Sequence, residues 1–208
     1  GKKKDFSCSD RKFACNIGLT FKTPEEFFLG YPMCSKYSFG EFDPRKNAIS
    51  AYNPMVEPAD ASFIIDGPEV VVFVGFPASG KTTFYEKIMK PNGYIHVSRD
   101  ILGSWQKCVN ICKHVESRRR YICCAQDLEV PVRCFHFLTT MAEAKHNNRF
   151  RELTTERDFA KVTDIAYNTF KSRFVPPQET EGFKEVLRIT LNASVKDEYA
   201  NLYIQFLL

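Results

Sequence analysis

No stretch of the chain reaches the roughly 18 apolar residues of a membrane-spanning helix, and no apolar run of signal-peptide length opens it. A soluble, non-secreted protein with no membrane partner is expected. No CxxC pair occurs, and the eight cysteines, Cys108, Cys112, Cys123, Cys124 and Cys134 among them, follow no regular spacing. That argues against a disulfide framework and for reduced thiols in the cytosol or nucleus. The excess of positive over negative charge is also small. The formal net charge of +4 is compatible with a nucleic-acid partner without arguing for one. Core-forming residues are not lacking: 44% hydrophobic and 14% aromatic content in 208 residues supports one full domain with an appendage. The first residue is Gly1, in a basic "GKKK" run that reads as the middle of a longer chain.

Residues 1 to 29 show helical spacing around Phe13, Ala14 and Ile17, a stop at Gly18, and a restart at "TPEE". There Thr23 as N-cap, Pro24 at N1 and Glu26 at N3 form a capping-box start. Residues 30 to 68, with Pro32, Pro44, Pro54, Pro58 and Pro68 and no sustained period, read as a linker. From 69 the pattern changes to "EVVVFVGF", the continuous apolar run of a strand buried on both faces of a parallel sheet. "GYIHVS" at 93 to 98 and "PVRCFHFL" at 131 to 138 are further strand candidates. "TMAEAKHNNRFREL" and "TERDFAKVTDIAYNTFKSRF" are helical, the second with Phe159, Val162, Ile165, Ala166, Thr169 and Phe170 on one face. "EVLRITL" and "LYIQFLL" are expected to close the chain as strands. Strand alternating with helix predicts an α/β fold, a parallel sheet flanked by helices over residues 69 to 208.

"GFPASGKT", Gly75 to Thr82, fits G-x-x-x-x-G-K-[ST] between a strand and a helix, the context that a phosphate-binding loop requires. Gly75, Phe76, Pro77, Ala78, Ser79, Gly80, Lys81, Thr82 and Thr83 are the expected nucleotide-binding residues. Backbone N–H groups must approach phosphate oxygens closely, so glycines at 75 and 80 remove side-chain obstruction, and the helix N-terminus adds partial positive charge. Lys81 reaches the β- and γ-phosphates, and the Thr82 hydroxyl suits a magnesium ion that prefers oxygen ligands. The motif leaves the phosphoryl acceptor open.

Arg99 and Asp100 follow "GYIHVS" at the carboxyl end of that expected strand, the edge where open α/β sheets bind ligands. A carboxylate that orients the attacking hydroxyl and accepts its proton is needed for phosphoryl transfer, and Asp100 is the candidate. Helix capping is the other reading of Asp100. "EAKHNNRFRELT" at 143 to 154 places Arg149 and Arg151 where a lid arginine can clamp the transferring phosphoryl group; a solvated basic helix face is the alternative.

With "VGFPASGKTTF", "HVSRDILGSWQKCV", "VPVRCFHF" and "AKHNNRFREL" in that order, the chain resembles the kinase domain of the polynucleotide kinase 3'-phosphatase family. "KKKDFSCSDRKFACNIGLTFKTPEEFFL" is similar to the end of that family's HAD-type phosphatase domain, so the likeness covers nearly the whole chain. The resemblance implies transfer of the ATP γ-phosphate to a 5'-hydroxyl at DNA ends, in strand-break repair within the nucleus, with ATP and Mg2+. Lys81 and Thr82 would contact ATP and magnesium, Asp100 would be the general base with Arg99 beside it at the substrate, and Arg149 and Arg151 would be lid contacts. A monomer is expected, with DNA-repair proteins as partners of the parent protein.

Two departures qualify the likeness. The nucleophilic "DxDGT" motif of the phosphatase is absent, so no phosphatase activity is expected, and Asp10 is either a remnant of its magnesium site or a helix-capping residue. At "QKCVNICKHVESRRRYICC" the family would have a helix, a strand and a loop before the next helix; here helix runs into helix and one central strand is missing. Leu102, Trp105, Val109, Cys112, Val115 and Ile122 nearly keep a 3-to-4 spacing, so one helix from about Asp100 to Asp127 is the local expectation. A shortened product of a longer gene is the simplest account. A small-molecule kinase and an inactive fragment that binds DNA ends or partners are the rival functions.

Overall fold

The computed structural model describes residues 8–34, 37–46, 51–96, 115–155 and 162–207. Four strands form one sheet: β1 (Met55–Glu57), β2 (Val70–Val74), β3 (Val132–Phe137) and β4 (Glu185–Thr190). Their order is β1-β4-β3-β2. β2, β3 and β4 run parallel, with Val72 opposite Cys134 and Phe135 opposite Leu187, while β1 pairs antiparallel to β4. The α/β architecture is as expected, but the sheet is mixed. Its antiparallel edge strand comes from the proline-rich stretch read as a linker, where β1 is only three residues long and has no strand-like run of its own.

Seven α-helices are described: α1 (Ser9–Asn16), α2 (Pro24–Phe28), α3 (Lys81–Phe84), α4 (Val115–Asp127), α5 (Met141–Thr154), α6 (Asp164–Arg173) and α7 (Asp197–Tyr203). α2 starts at the expected capping box: the Thr23 hydroxyl accepts from Glu26 N, and the Glu26 carboxylate accepts from Thr23 N. α3 continues through a wider turn over Tyr85–Met89 and a tight one over Lys90–Asn92, ending at Gly93 with φ of 82°.

Alternation along the parallel strands sends side chains to two cores. Val72, Val74 and Cys134 meet Ile122 and Ala125 of α4 on one face. Phe135, Phe137, Leu187 and Ile189 meet Phe84 and Met89 on the other. Cover on both faces is why these strands read as unbroken apolar runs. Two strand residues on that second face are charged, Arg133 and Glu185, which sit side by side in the ladder and pair at 3.4 Å. Arg133, 1% exposed, donates to both Glu69 carboxylate oxygens at 2.6 and 2.7 Å and to the carbonyls of Ser62 and Phe63 at 2.6 and 2.8 Å. It fastens β3 to the segment that leads into β2, with each buried donor directed at an acceptor.

Three expectations are corrected. Tyr94 to His96 form no strand: Ile95 is 89% exposed, the His96 ring stacks on Tyr85 at 4.5 Å, and the Tyr94 hydroxyl bonds the Glu69 carboxylate. Aromatic packing onto the α3 continuation and the Glu69 ion network take the residues that a ladder would use. "LYIQFLL" is not a strand either. Leu202 and Tyr203 end α7, and Tyr203 packs edge-on against His146 and Phe150 of α5 at 4.8 and 5.0 Å. α6 begins at Asp164, because the Thr163 hydroxyl caps it at Ala166 N, and its buried residues are Tyr167 and Phe170 while Ile165 is 77% exposed. Phe159 lies outside the described residues. So does the part of the expected long helix before Val115.

The two ends of the described chain are tied together. Asn16 exchanges two hydrogen bonds with the backbone of Phe206, at 3.1 and 2.8 Å, and the Phe206 ring stacks on Phe39 at 4.7 Å with the Arg45 guanidinium over it at 4.9 Å.

Candidate nucleotide site

β2 ends at Val74, the chain turns through Gly75 to Gly80, and α3 starts at Lys81. This is the strand, loop and helix that the motif needs. Ser79 N donates to the Phe76 carbonyl at 3.2 Å, closing a turn at the tip. Ala78 and Gly80 have left-handed φ of 58° and 88°, the alternation by which consecutive amides converge on an anion. Left-handed geometry at an alanine costs about 1 kcal/mol, strain of the kind held at ligand sites.

Lys81 folds back over the loop. Its Nζ donates to the Gly75 carbonyl at 3.0 Å, the Phe76 carbonyl at 2.5 Å and Ser79 Oγ at 3.1 Å. The ammonium is thereby held at the mouth of the turn, where phosphate oxygens would compete with neutral acceptors for the same charge. Thr82 and Thr83 are exposed on the first turn of α3. The Thr82 hydroxyl is open to a metal ion carried by nucleotide phosphates. Ser79 is buried, and its carbonyl accepts from Thr139 Oγ1 at 3.2 Å, so the end of β3 braces the loop.

The two glycines do more than clear space for phosphate. A Cβ on Gly75 would lie 3.0 Å from both Phe137 Cβ and Ser79 Oγ, and one on Gly80 would lie 2.4 Å from Leu191 Cδ1. The loop is packed against the ends of β3 and β4, a constraint that only the tertiary structure reveals. Thr139 and Leu191 are therefore site residues that the motif did not flag.

α5 begins beside the loop, with Thr140 as its N-cap accepting from Glu143 N. At 1.5 Å rise per residue, Arg149 and Arg151 lie roughly 13 and 16 Å along that helix from Thr140. Arg149 pairs with Glu152 at 3.0 Å, and an Arg151 Nη2 donates to Asn148 Oδ1 at 2.6 Å. In this arrangement both arginines hold partners on their own helix. Arg99 and Asp100 lie outside the described residues. Asp10 is exposed in the first turn of α1, and among the described residues no cluster of three or more His, Cys, Asp or Glu side chains could hold a metal.

Beside the loop, on the face covered by α4, a cavity of about 200 Å³ is lined by Phe76, His136, Thr139, Thr140, Phe170 and Phe174 among others. The Phe76 ring lies 4.6 Å from that of Phe170, which stacks on Phe174 at 5.1 Å. Burial, then the Arg188 and Arg118 charges, push the His136 imidazole below its ordinary pKa, so it is neutral at pH 7.

Known proteins match both ends of this description. Residues 1–28 match the family model described as polynucleotide kinase 3 phosphatase, and residues 70–108 match the one described as AAA domain. The chain is 36% identical over 202 positions to the bifunctional polynucleotide phosphatase/kinase of Schizosaccharomyces pombe, covering 89% of this chain and 48% of that protein. It is 32% identical over 207 positions to a protein of Acanthamoeba polyphaga mimivirus whose name carries the same two activities, covering 89% of this chain and 49% of that protein. By sequence the chain is a relative of the bifunctional polynucleotide phosphatase/kinases, and it spans about half the length of the two it matches here.

Proposed function

We propose that the chain carries the kinase half of such an enzyme, moving the γ-phosphate of ATP to a 5'-hydroxyl of a polynucleotide, with DNA ends in strand-break repair as the substrate and the nucleus as its place. The observation that supports it most is Lys81, folded over a strand-loop-helix phosphate cradle in a chain whose relatives are named for a polynucleotide kinase.

ATP is the donor substrate. Lys81 and the amides of residues 78 to 82 would hold its phosphates, and Thr82 would contribute to a magnesium ion, which would neutralise charge on them. Asp100 is assigned the proton of the attacking hydroxyl and Arg99 a place beside the substrate. Arg149 and Arg151 are assigned to the lid, which requires them to leave Glu152 and Asn148. Repair-protein partners and phosphatase activity, with Asp10 as its remnant, belong to a longer parent. Transfer of labelled γ-phosphate to a 5'-hydroxyl oligonucleotide is expected, falling about 10²- to 10⁴-fold in Asp100→Ala, the usual worth of a general base. No transfer by a folded, ATP-binding preparation would overturn the reading, and transfer to a metabolite but not to DNA would assign a small-molecule kinase.

A second reading, a catalytically silent fragment that binds DNA ends, is favoured by two observations. Tyr94 to His96 form no strand, and β2 is the last strand of the sheet among the described residues. The 202 aligned positions also exceed 89% of 208 residues, so the S. pombe relative has residues within the matched stretch that this chain lacks. Salt-sensitive DNA binding without turnover would be its signature.

A further inference from the structure

The aromatic cavity shares a wall with the phosphate cradle. Phe76 gives its carbonyl to Lys81 Nζ and its ring to Phe170, and Phe174 stacks on Phe170 with His136 5.4 Å away. The cavity's roughly 200 Å³ falls below the size of sites that enclose whole ligands, about 300–1,000 Å³, and suits one planar ring system.

The loop has a polarity. Amides at its Gly80 end, packed against Leu191, cradle the inner phosphates, whereas Lys81 Nζ, which reaches the outer ones, lies at the Gly75 and Phe76 carbonyls beside the cavity. The cavity therefore adjoins the outgoing end of the donor. In-line transfer puts the acceptor at that end and the donor nucleoside at the other.

We propose that this cavity receives the 5'-terminal nucleobase of the acceptor strand, stacked on the half-buried outer rings, Phe76 and Phe174, of the cluster that they form around the buried Phe170. The inference rests on the 5'-kinase reading and adds to it how a strand end is held. Stacking on aromatic rings tolerates every base, so the terminus is gripped without its sequence being read. The neutral His136 ring completes the wall without adding a charge to it.

The test uses the full chain with Mg2+ and a non-hydrolysable ATP analogue, and two 5'-hydroxyl oligonucleotides that differ only in whether the first nucleotide carries a base. The base-bearing strand is expected to bind about 5- to 150-fold more tightly, the range of one base-aromatic stack. 2-Aminopurine should be quenched at the first position and not at the third. In Phe174→Leu the two strands should bind nearly alike. Equal binding of both strands by the unaltered chain overturns the proposal and leaves the kinase reading standing. Weaker analogue binding in Phe174→Leu, with strand discrimination unchanged, gives the cavity to adenine and overturns it. No binding of either strand overturns this proposal and the kinase reading together.

Discussion

At the residue scale, Gly80 carries two constraints at once. Its φ of 88° is disfavoured for any side chain, and a Cβ would meet Leu191 Cδ1 at 2.4 Å. Gly80→Ala is therefore expected to lose about 1–3 kcal/mol in urea unfolding, the scale of strained backbone and overpacking. Adding Leu191→Ala should relieve the contact but not the backbone, so nucleotide binding stays impaired in the double variant. Ala78 is the converse case. Its φ of 58° lets Ala78→Gly hold the loop without strain, and since the greater entropy of an unfolded glycine offsets most of that relief, a net change within about 1 kcal/mol is expected in urea unfolding.

At the element scale, strands and helices are joined by a few buried polar groups. Glu69 holds Arg133 by two short bonds, with neither side chain meaningfully exposed. Glu69→Ala leaves the buried guanidinium only Glu185, 3.4 Å away, and the Ser62 and Phe63 carbonyls, and should cost about 1.5–3 kcal/mol, seen as a lowered thermal midpoint. His146 joins α5 to α7: it is 5% exposed, its ring faces Phe42 and Tyr203, and Nε2 has no hydrogen-bond partner among the described residues. Burial lowers its pKa, as it does that of His136. The unfolded chain then binds protons more readily than the folded one. The stability due to these neutral rings is complete above the unfolded value of about 6.5 and is lost as pH falls through the lower folded values. Urea midpoints should drop between pH 7.5 and 5.5, and the drop should shrink in His146→Phe.

How much of this was legible follows from where each element's reasons lie. The capping box at Thr23, the run into Gly75 and the lysine-bearing helix have local causes, and those segments formed as read. "GYIHVS" has a strand's composition, but Glu69 and Tyr85 claim its aromatic side chains from a distance. "LYIQFLL" has strand residues whose burial is set by α5. The aromatic cavity needs residues 76, 136, 170 and 174 together, and no sequence period connects them. Arg133 inside a strand pointed to nothing until Glu69 was seen against it.

At the scale of the whole molecule, a phosphate cradle in a sheet of four described strands belongs to a chain about half as long as the relatives it matches. The two ends of its described part meet, with α1 bound to Phe206 and α7 bound to α5, so residues 8–17 are built into the unit that holds the cradle. Asn16→Ala removes both bonds to Phe206 and should destabilise the chain by about 1–3 kcal/mol while leaving nucleotide affinity nearly unchanged. A monomer is proposed, and sedimentation at two concentrations would check it.

Thermal unfolding with and without Mg-ATP decides whether this chain holds a working nucleotide site. At 100 times Kd a ligand bound only to the folded chain adds about 2.7 kcal/mol, or roughly 5–11 °C for a chain of this size. One cooperative transition should rise by that order with Mg-ATP and scarcely rise in Lys81→Ala. A transition unmoved by Mg-ATP in the unaltered chain would contradict such a site.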